Sequence, residues 1–142
     1  MITLRRTVHT ATPPSRVYPY LADFANAAEW DSGTVSCERV SGDGQPGTVY
    51  RNVSSFAGRQ VELLYTVESS DGQVFVVVGR NATTQSRDTI VVHPDGPGSR
   101  VDYTAEFTFS GIARFLGPIM RPLLDRLGDK TAVQLAESLD RL

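Results

Sequence analysis

An α+β fold, one antiparallel sheet covered by a long C-terminal helix, is predicted by three observations. First, between Gly111 and Leu142 apolar residues recur as Leu116, Met120, Leu123, Leu127, Leu135, Leu139 and Leu142, with Thr131 filling the one gap. Steps of three and four keep side chains on one side of a 3.6-residue helix. A helix over Ile112–Leu142 would be about 45 Å long at 1.5 Å per residue. Second, the chain from Val35 to Phe109 breaks into short segments joined by turn-forming residues. Third, no other stretch reads as a helix of comparable length, so the apolar stripe must be buried against that sheet.

Met1 to Thr10 lacks turn residues and reads as a first strand. Thr12-Pro13-Pro14-Ser15 is a helix start, with Thr12 as the cap and proline in the first turn. Pro19 lies inside this helix and should shorten or bend it. Asp23 caps a second short helix, Phe24 to Glu29, ending at Trp30. Two short helices in series therefore follow the first strand.

Strands are then predicted over Val35–Val40, Thr48–Phe56, Arg59–Glu68, Gln73–Gly79, Thr83–Val92 and Arg100–Phe109. Their connections, such as Ala57-Gly58 and Ser69-Ser70-Asp71-Gly72, have hairpin chemistry, and no long crossover separates them, which makes the sheet a meander. Alternation turns Val61, Leu63, Tyr65 and Val67 toward the helix, together with Val101, Tyr103, Ala105, Phe107 and Phe109. The inner faces of residues 74–78 and 83–92 stay open, because alternation there is not clear.

The 142 residues suffice for one domain, residues 1–142, and are too few for two. A net charge of −2 with scattered arginines offers no basic surface for nucleic acid. The single cysteine, Cys37, cannot form an internal disulfide, which fits a reducing compartment. The opening Met1-Ile2-Thr3-Leu4-Arg5-Arg6 has no apolar run after its charges, and nothing is long enough to span a bilayer. A cytoplasmic protein without membrane insertion is expected, as a monomer or homodimer, and its two glycosylation sequons, at Asn52 and Asn81, are read as accidental.

The segment Pro13-Pro14-Ser15-Arg16-Val17-Tyr18-Pro19-Tyr20-Leu21-Ala22-Asp23-Phe24, followed by Glu29-Trp30, resembles the opening of the polyketide cyclase/dehydrase-like branch of the START-related SRPBCC superfamily. Pro46-Gly47-Thr48-Val49-Tyr50, Ser99-Arg100-Val101-Asp102-Tyr103 and the terminal helix are similar to that branch as well. The resemblance implies the helix-grip fold: a curved antiparallel sheet wrapped around one long C-terminal helix, with two short helices closing one end. It also implies a cavity between sheet and helix, which the superfamily generally uses for apolar small molecules. Its members include lipid carriers, cyclases, aromatases and interaction modules, so the fold limits function only loosely.

The residues expected to line such a cavity are Trp30, Tyr50, Tyr65, Phe75, Tyr103, Phe107, Met120, Leu124 and Thr131. For each aromatic, plain core packing is at least as good a reading, although a buried phenol needs a polar partner and can orient a ligand. If the protein is an enzyme of the cyclase/dehydrase type, its proton donor or base must come from Tyr65, Tyr103, Arg87 or Asp88. No spacing among these four demands catalysis, and a protein-interaction module remains a third class.

Other signals point away from chemistry. Gly42-x-Gly44-x-x-Gly47 matches the dinucleotide fingerprint letter for letter, yet that mechanism needs a helix after the loop and a strand follows here. No cofactor is expected. His9 and His93 have no second ligand at metal spacing, so no metal is expected either. Cys37 reads as a small buried apolar residue. Gly117, Pro118, Pro122 and Gly128 interrupt the last helix and are expected to curve it along the sheet.

Overall fold

The computed structural model describes residues 1–142. Seven antiparallel strands form one sheet in the order β1-β7-β6-β5-β4-β3-β2. They are β1 (Ile2–Thr10), β2 (Thr34–Ser41), β3 (Val49–Phe56), β4 (Arg59–Ser70), β5 (Val74–Arg80), β6 (Thr84–Asp95) and β7 (Gly98–Phe109). From β2 to β7 each strand pairs with the next, the pattern expected where connections are too short to cross the sheet. β1 pairs with β7, so the first and last strands lie side by side and β2 forms the far edge.

Two short helices follow β1: α1 (Pro14–Ala22), then a 3₁₀ turn over Phe24–Asn26 leading into α2 (Ala27–Trp30). Pro19 does not end α1, which keeps its nine residues with Val17 and Leu21 fully buried on either side of the proline. Thr12 is not the cap. Pro13 holds that position, and the Thr12 hydroxyl donates instead to the Leu139 carbonyl at 2.7 Å, tying the start of α1 to the end of the last helix.

The C-terminal helix α3 covers Gly117–Asp140, 24 residues or about 36 Å. It is shorter than the sequence suggests because Gly111–Leu116 forms a 3₁₀ turn, whose residues Ile112, Phe115 and Leu116 stay exposed. The buried stripe differs as well, comprising Leu124, Gly128, Thr131, Leu135, Ser138 and Leu139. A periodicity read from large apolar residues alone passes over Gly128 and Ser138, which are buried because they are small. At Gly128 the reason is visible: a Cβ there would lie 3.0 Å from a guanidinium nitrogen of Arg6, which runs beneath the helix. Arg6 donates to the Asp125 carbonyl at 3.0 Å and to Asp129 Oδ1 at 3.1 Å, joining α3 to β1.

The main core lies at the α1 end. Val17, Leu21, Phe24, Trp30, Tyr50, Phe75, Leu135 and Leu139 pack there with the inner sides of β4 to β7. A smaller cluster of Ile2, Leu4, Ala105 and Leu124 lies under the first half of α3. The open parity of two strands is settled by register: Phe75 pairs with Ile90 and Val77 with Asp88, all buried on the inner face. Ser86 and Asp88 therefore point inward, and Arg87 points outward to an ion pair with Glu68 at 2.8 Å.

Candidate functional site

Between the first half of α3 and the sheet lies a cavity of about 130 Å³. Its floor is the inner face of β4, β6 and β7, through Leu63, Tyr65, Ser86, Asp88, Tyr103 and Phe107. Its roof is Met120, Leu124, Leu127 and Thr131 of α3. It lies at the sheet end away from α1, where β3 ends at Phe56 and β7 at Phe109. Phe107 and Phe109, two residues apart on one strand face, stack with their planes 5° apart and form an aromatic wall.

Of the residues expected at this site, Tyr65, Tyr103, Phe107, Met120, Leu124 and Thr131 line the cavity. Trp30, Tyr50 and Phe75 do not. They are fully buried in the closed core, linked by edge-on and tilted contacts with Phe24. Trp30 reaches the cavity only at second hand, its ring edge-on to Tyr103 with centroids 5.8 Å apart. Its indole N–H has no hydrogen-bond partner. Of the four proton-transfer candidates, three face the cavity and Arg87 does not, since odd-numbered residues of β6 point outward.

Polar chemistry is concentrated on Asp88, which is 4% exposed. Its Oδ1 accepts from Ser86 Oγ at 2.8 Å and its Oδ2 from the Tyr103 hydroxyl at 3.1 Å. Burial pushes this carboxyl up to about 7; the charge of Asp31 adds to the rise, and the hydrogen bonds from Ser86 and Tyr103 oppose it. Burial, with Asp88 close by, also holds the Tyr65 and Tyr103 phenols well above their ordinary range. The arrangement can hold or give a proton at neutral pH and can present two phenols to a bound molecule.

Asp31, Ser86, Gly33 and Ser54 also line the cavity and are not among the residues sequence reasoning selects. Alternation does carry a signal for Ser86: once Ile90 and Val92 are taken as core, period two puts Ser86 and Asp88 on the same face. Asp31 has no such signal. It reaches the site because Thr131 on α3 donates to its Oδ1 at 3.0 Å, a contact between residues a hundred positions apart.

The remaining motifs lie outside this cavity. Gly42, Gly44 and Gly47 lie in the β2–β3 connection, all at positive φ, and no helix follows them. Cys37 is partly buried, and burial raises its thiol to about 11, far from a reactive thiolate. His9 pairs with Asp95 and His93 with Asp102. No three His, Cys, Asp or Glu side chains are grouped to hold a metal ion. No helix is long and apolar enough to cross a membrane.

Residues 1–140 match the family described as polyketide cyclase/dehydrase and lipid transport. The chain belongs to this family. Several solved structures share its fold. The Zhui aromatase/cyclase of Streptomyces sp. R1128 superposes with a TM-score of 0.82 at 15% identity, covering 99% of this chain and 94% of the other. TTHA0849 of Thermus thermophilus gives 0.79 at 23% identity, with 99% and 95% covered. A START superfamily protein of Mycobacterium smegmatis gives 0.74 at 16% identity, with 98% and 94% covered. These likenesses establish the helix-grip fold for this family member, a curved seven-stranded sheet around a long C-terminal helix. No curated protein sequence matches the chain.

Proposed function

We propose that this protein binds a small, mainly apolar molecule in the cavity between α3 and the sheet, with Tyr65, Tyr103 and Asp88 holding its polar end. The observation that carries this reading is the cavity itself. An aromatic and aliphatic lining converges on a buried polar cluster, Asp88 with Ser86 and Tyr103, the combination that gives a ligand both affinity and orientation. Phe107, Met120 and Leu124 supply apolar contact, and Thr131 closes the roof with its hydroxyl held by Asp31 and Ser32. Trp30, Tyr50 and Phe75 support the site from the core. Membership of a family that includes lipid transport agrees with a carrier role.

A second reading, a cyclase/dehydrase-type enzyme, draws on one observation. Asp88 near neutrality, with the Tyr103 phenol on its Oδ2, is suited to general acid–base work. The Zhui structure, an aromatase/cyclase by its own description, shares the fold.

Native mass spectrometry of freshly purified protein, followed by titration with the neutral fluorophore N-phenyl-1-naphthylamine, tests the binding reading. A co-purifying molecule, or fluorophore capture lost in the cavity-filling variant Ala105→Leu, is the expected result. No co-purifying mass and no capture would refute it. Tyr103→Phe then separates the two readings. A carrier should lose about 0.5–1.5 kcal/mol of affinity, whereas an enzyme using that hydroxyl should lose about 10²–10⁴ in turnover with binding little changed.

A further inference from the structure

The charge balance of the cavity is one-sided. Among its 21 lining residues are two carboxylates, Asp31 and Asp88, and no lysine, arginine or histidine. The two acids differ in what they have left to offer. Asp31 accepts from Thr34 Oγ1 at 2.7 Å, Thr131 Oγ1 at 3.0 Å and the Gly33 amide at 3.3 Å, and these bonds tie together the α2–β2 turn and α3. Asp88 has only two neutral donors, Ser86 and Tyr103, and a carboxylate offers about four acceptor positions. It forms no ion pair. The guanidinium that comes near the roof, Arg6 beneath Gly128, is held by Asp129 and the Asp125 carbonyl.

We infer that the cavity selects apolar amines: a ring-bearing molecule with one protonated nitrogen, whose counter-ion is Asp88 and whose neighbours are the rings of Tyr65, Tyr103 and Phe107. This rests on the binding reading above and names its ligand class. A buried carboxylate without a cation is a costly arrangement that an ammonium group relieves, and electron-rich aromatic faces attract the same charge. A fatty acid or phosphate would meet two carboxylates and no positive charge, so anions are rejected by the same residues. A neutral alcohol can donate to Asp88 but gains less than a charge-assisted bond does.

The pairing requires Asp88 to be ionised, so its surroundings set a pH dependence. Tyr65 faces it from β4, Ser86 from its own strand, Tyr103 from β7 and Asp31 from the turn before β2; α3 brings only uncharged residues, such as Leu127 and Thr131, over the cavity. With Asp88 near 7 in the empty protein, only about a tenth of it is ionised at pH 6. Amine affinity should therefore rise between pH 6 and pH 8.

The test is calorimetric titration of the full chain with three matched probes: 1-naphthylmethylamine, 1-naphthalenemethanol and 1-naphthoate. At pH 8 the amine should bind about tenfold or more tighter than the alcohol, and the acid weakest of all. At pH 6 the amine should weaken by about fivefold to tenfold while the alcohol changes little. Asp88→Asn should bring the amine-to-alcohol ratio close to one. If that variant does not fold, the pH comparison on the unmodified protein carries the decision. Equal binding of amine and alcohol, tight binding of the acid, or an amine-to-alcohol ratio unchanged between pH 6 and pH 8 would overturn the amine inference and leave the cavity as a binding site. Failure of all three probes, with no capture of N-phenyl-1-naphthylamine, would remove the binding reading along with it.

Discussion

Asp88 is the residue whose placement has the clearest thermodynamic consequence. Its carboxyl lies near 7 in the folded protein against about 3.9 in an unfolded chain, so folding favours the protonated form. A raised value contributes stability that is fully present below about pH 4 and is lost as pH rises through about 7. Between pH 5 and pH 8 the protein is expected to lose about 2–3 kcal/mol through this one group. Asp71 and Asp102, held below the ordinary carboxylate range, act only at lower pH and do not interfere in that window. Urea unfolding at the two pH values should show the loss in the natural protein and a much smaller one in Asp88→Asn. Equal slopes with pH in both would mean that Asp88 is hydrated. Gly79 makes a second residue-scale case. It pairs with Tyr65, and a Cβ on it would lie 2.7 Å from that ring, so the glycine lets the phenol lie flat against β5. Gly79→Val should cost about 1–3 kcal/mol and push the Tyr65 ring off the sheet. Thermal unfolding together with tyrosine fluorescence would show whether it does.

At the scale of the element, α3 does two different things along its length. Its second half is core: Leu135 is 1% exposed and Leu139 fully buried. Its first half roofs a cavity through Met120 and Leu127, which are only partly covered, as is Leu123 beside them. Leu135→Ala should then cost about 2–5 kcal/mol, and Leu123→Ala clearly less. Comparable losses at the two positions would contradict this division. Deletion from Gly128 onward should abolish the cooperative transition, because Thr131, Leu135 and Leu139 leave together with the contacts to Asp31 and Thr12. Much of this element is legible in the residues alone. Steps of three and four announce a helix with one buried side, and Thr131 stands out as a polar oddity in the stripe. The rotation of the helix is not legible, because Gly128 and Ser138 carry no apolar signal and are buried only through what lies against them.

For the molecule as a whole, ligand binding and stability are linked by mass action. A ligand at 100 times its dissociation constant should add about 2.7 kcal/mol and raise the midpoint by about 5–10 °C. Scanning calorimetry with 1-naphthylmethylamine at pH 8 measures this directly, and an unmoved midpoint at saturation would show that the probe binds no folded site. The strands themselves, the meander from β2 to β7 and the two short helices after β1 are readable from alternation and turn chemistry, since these are local properties of the chain, whereas the pairing of β1 with β7 joins residues about a hundred positions apart and is not. The faces of β5 and β6 are not. Val74 to Val78 is apolar on both sides, so parity there is set by the partner strands, which turn Phe75 and Val77 inward. Trp30, Tyr50 and Phe75 have the composition of ligand-contacting residues, but α1 and the second half of α3 seal that end of the sheet over them. Only the folded chain brings Asp31 to Thr131 and Tyr103 to Asp88, because a hydrogen bond between distant residues leaves no periodic trace. The division into strands and helices is thus written in the local pattern of residues. The line where the core stops and the cavity begins is not, since it depends on how far α3 stands from the sheet at each turn, a distance set by contacts between residues far apart in the chain.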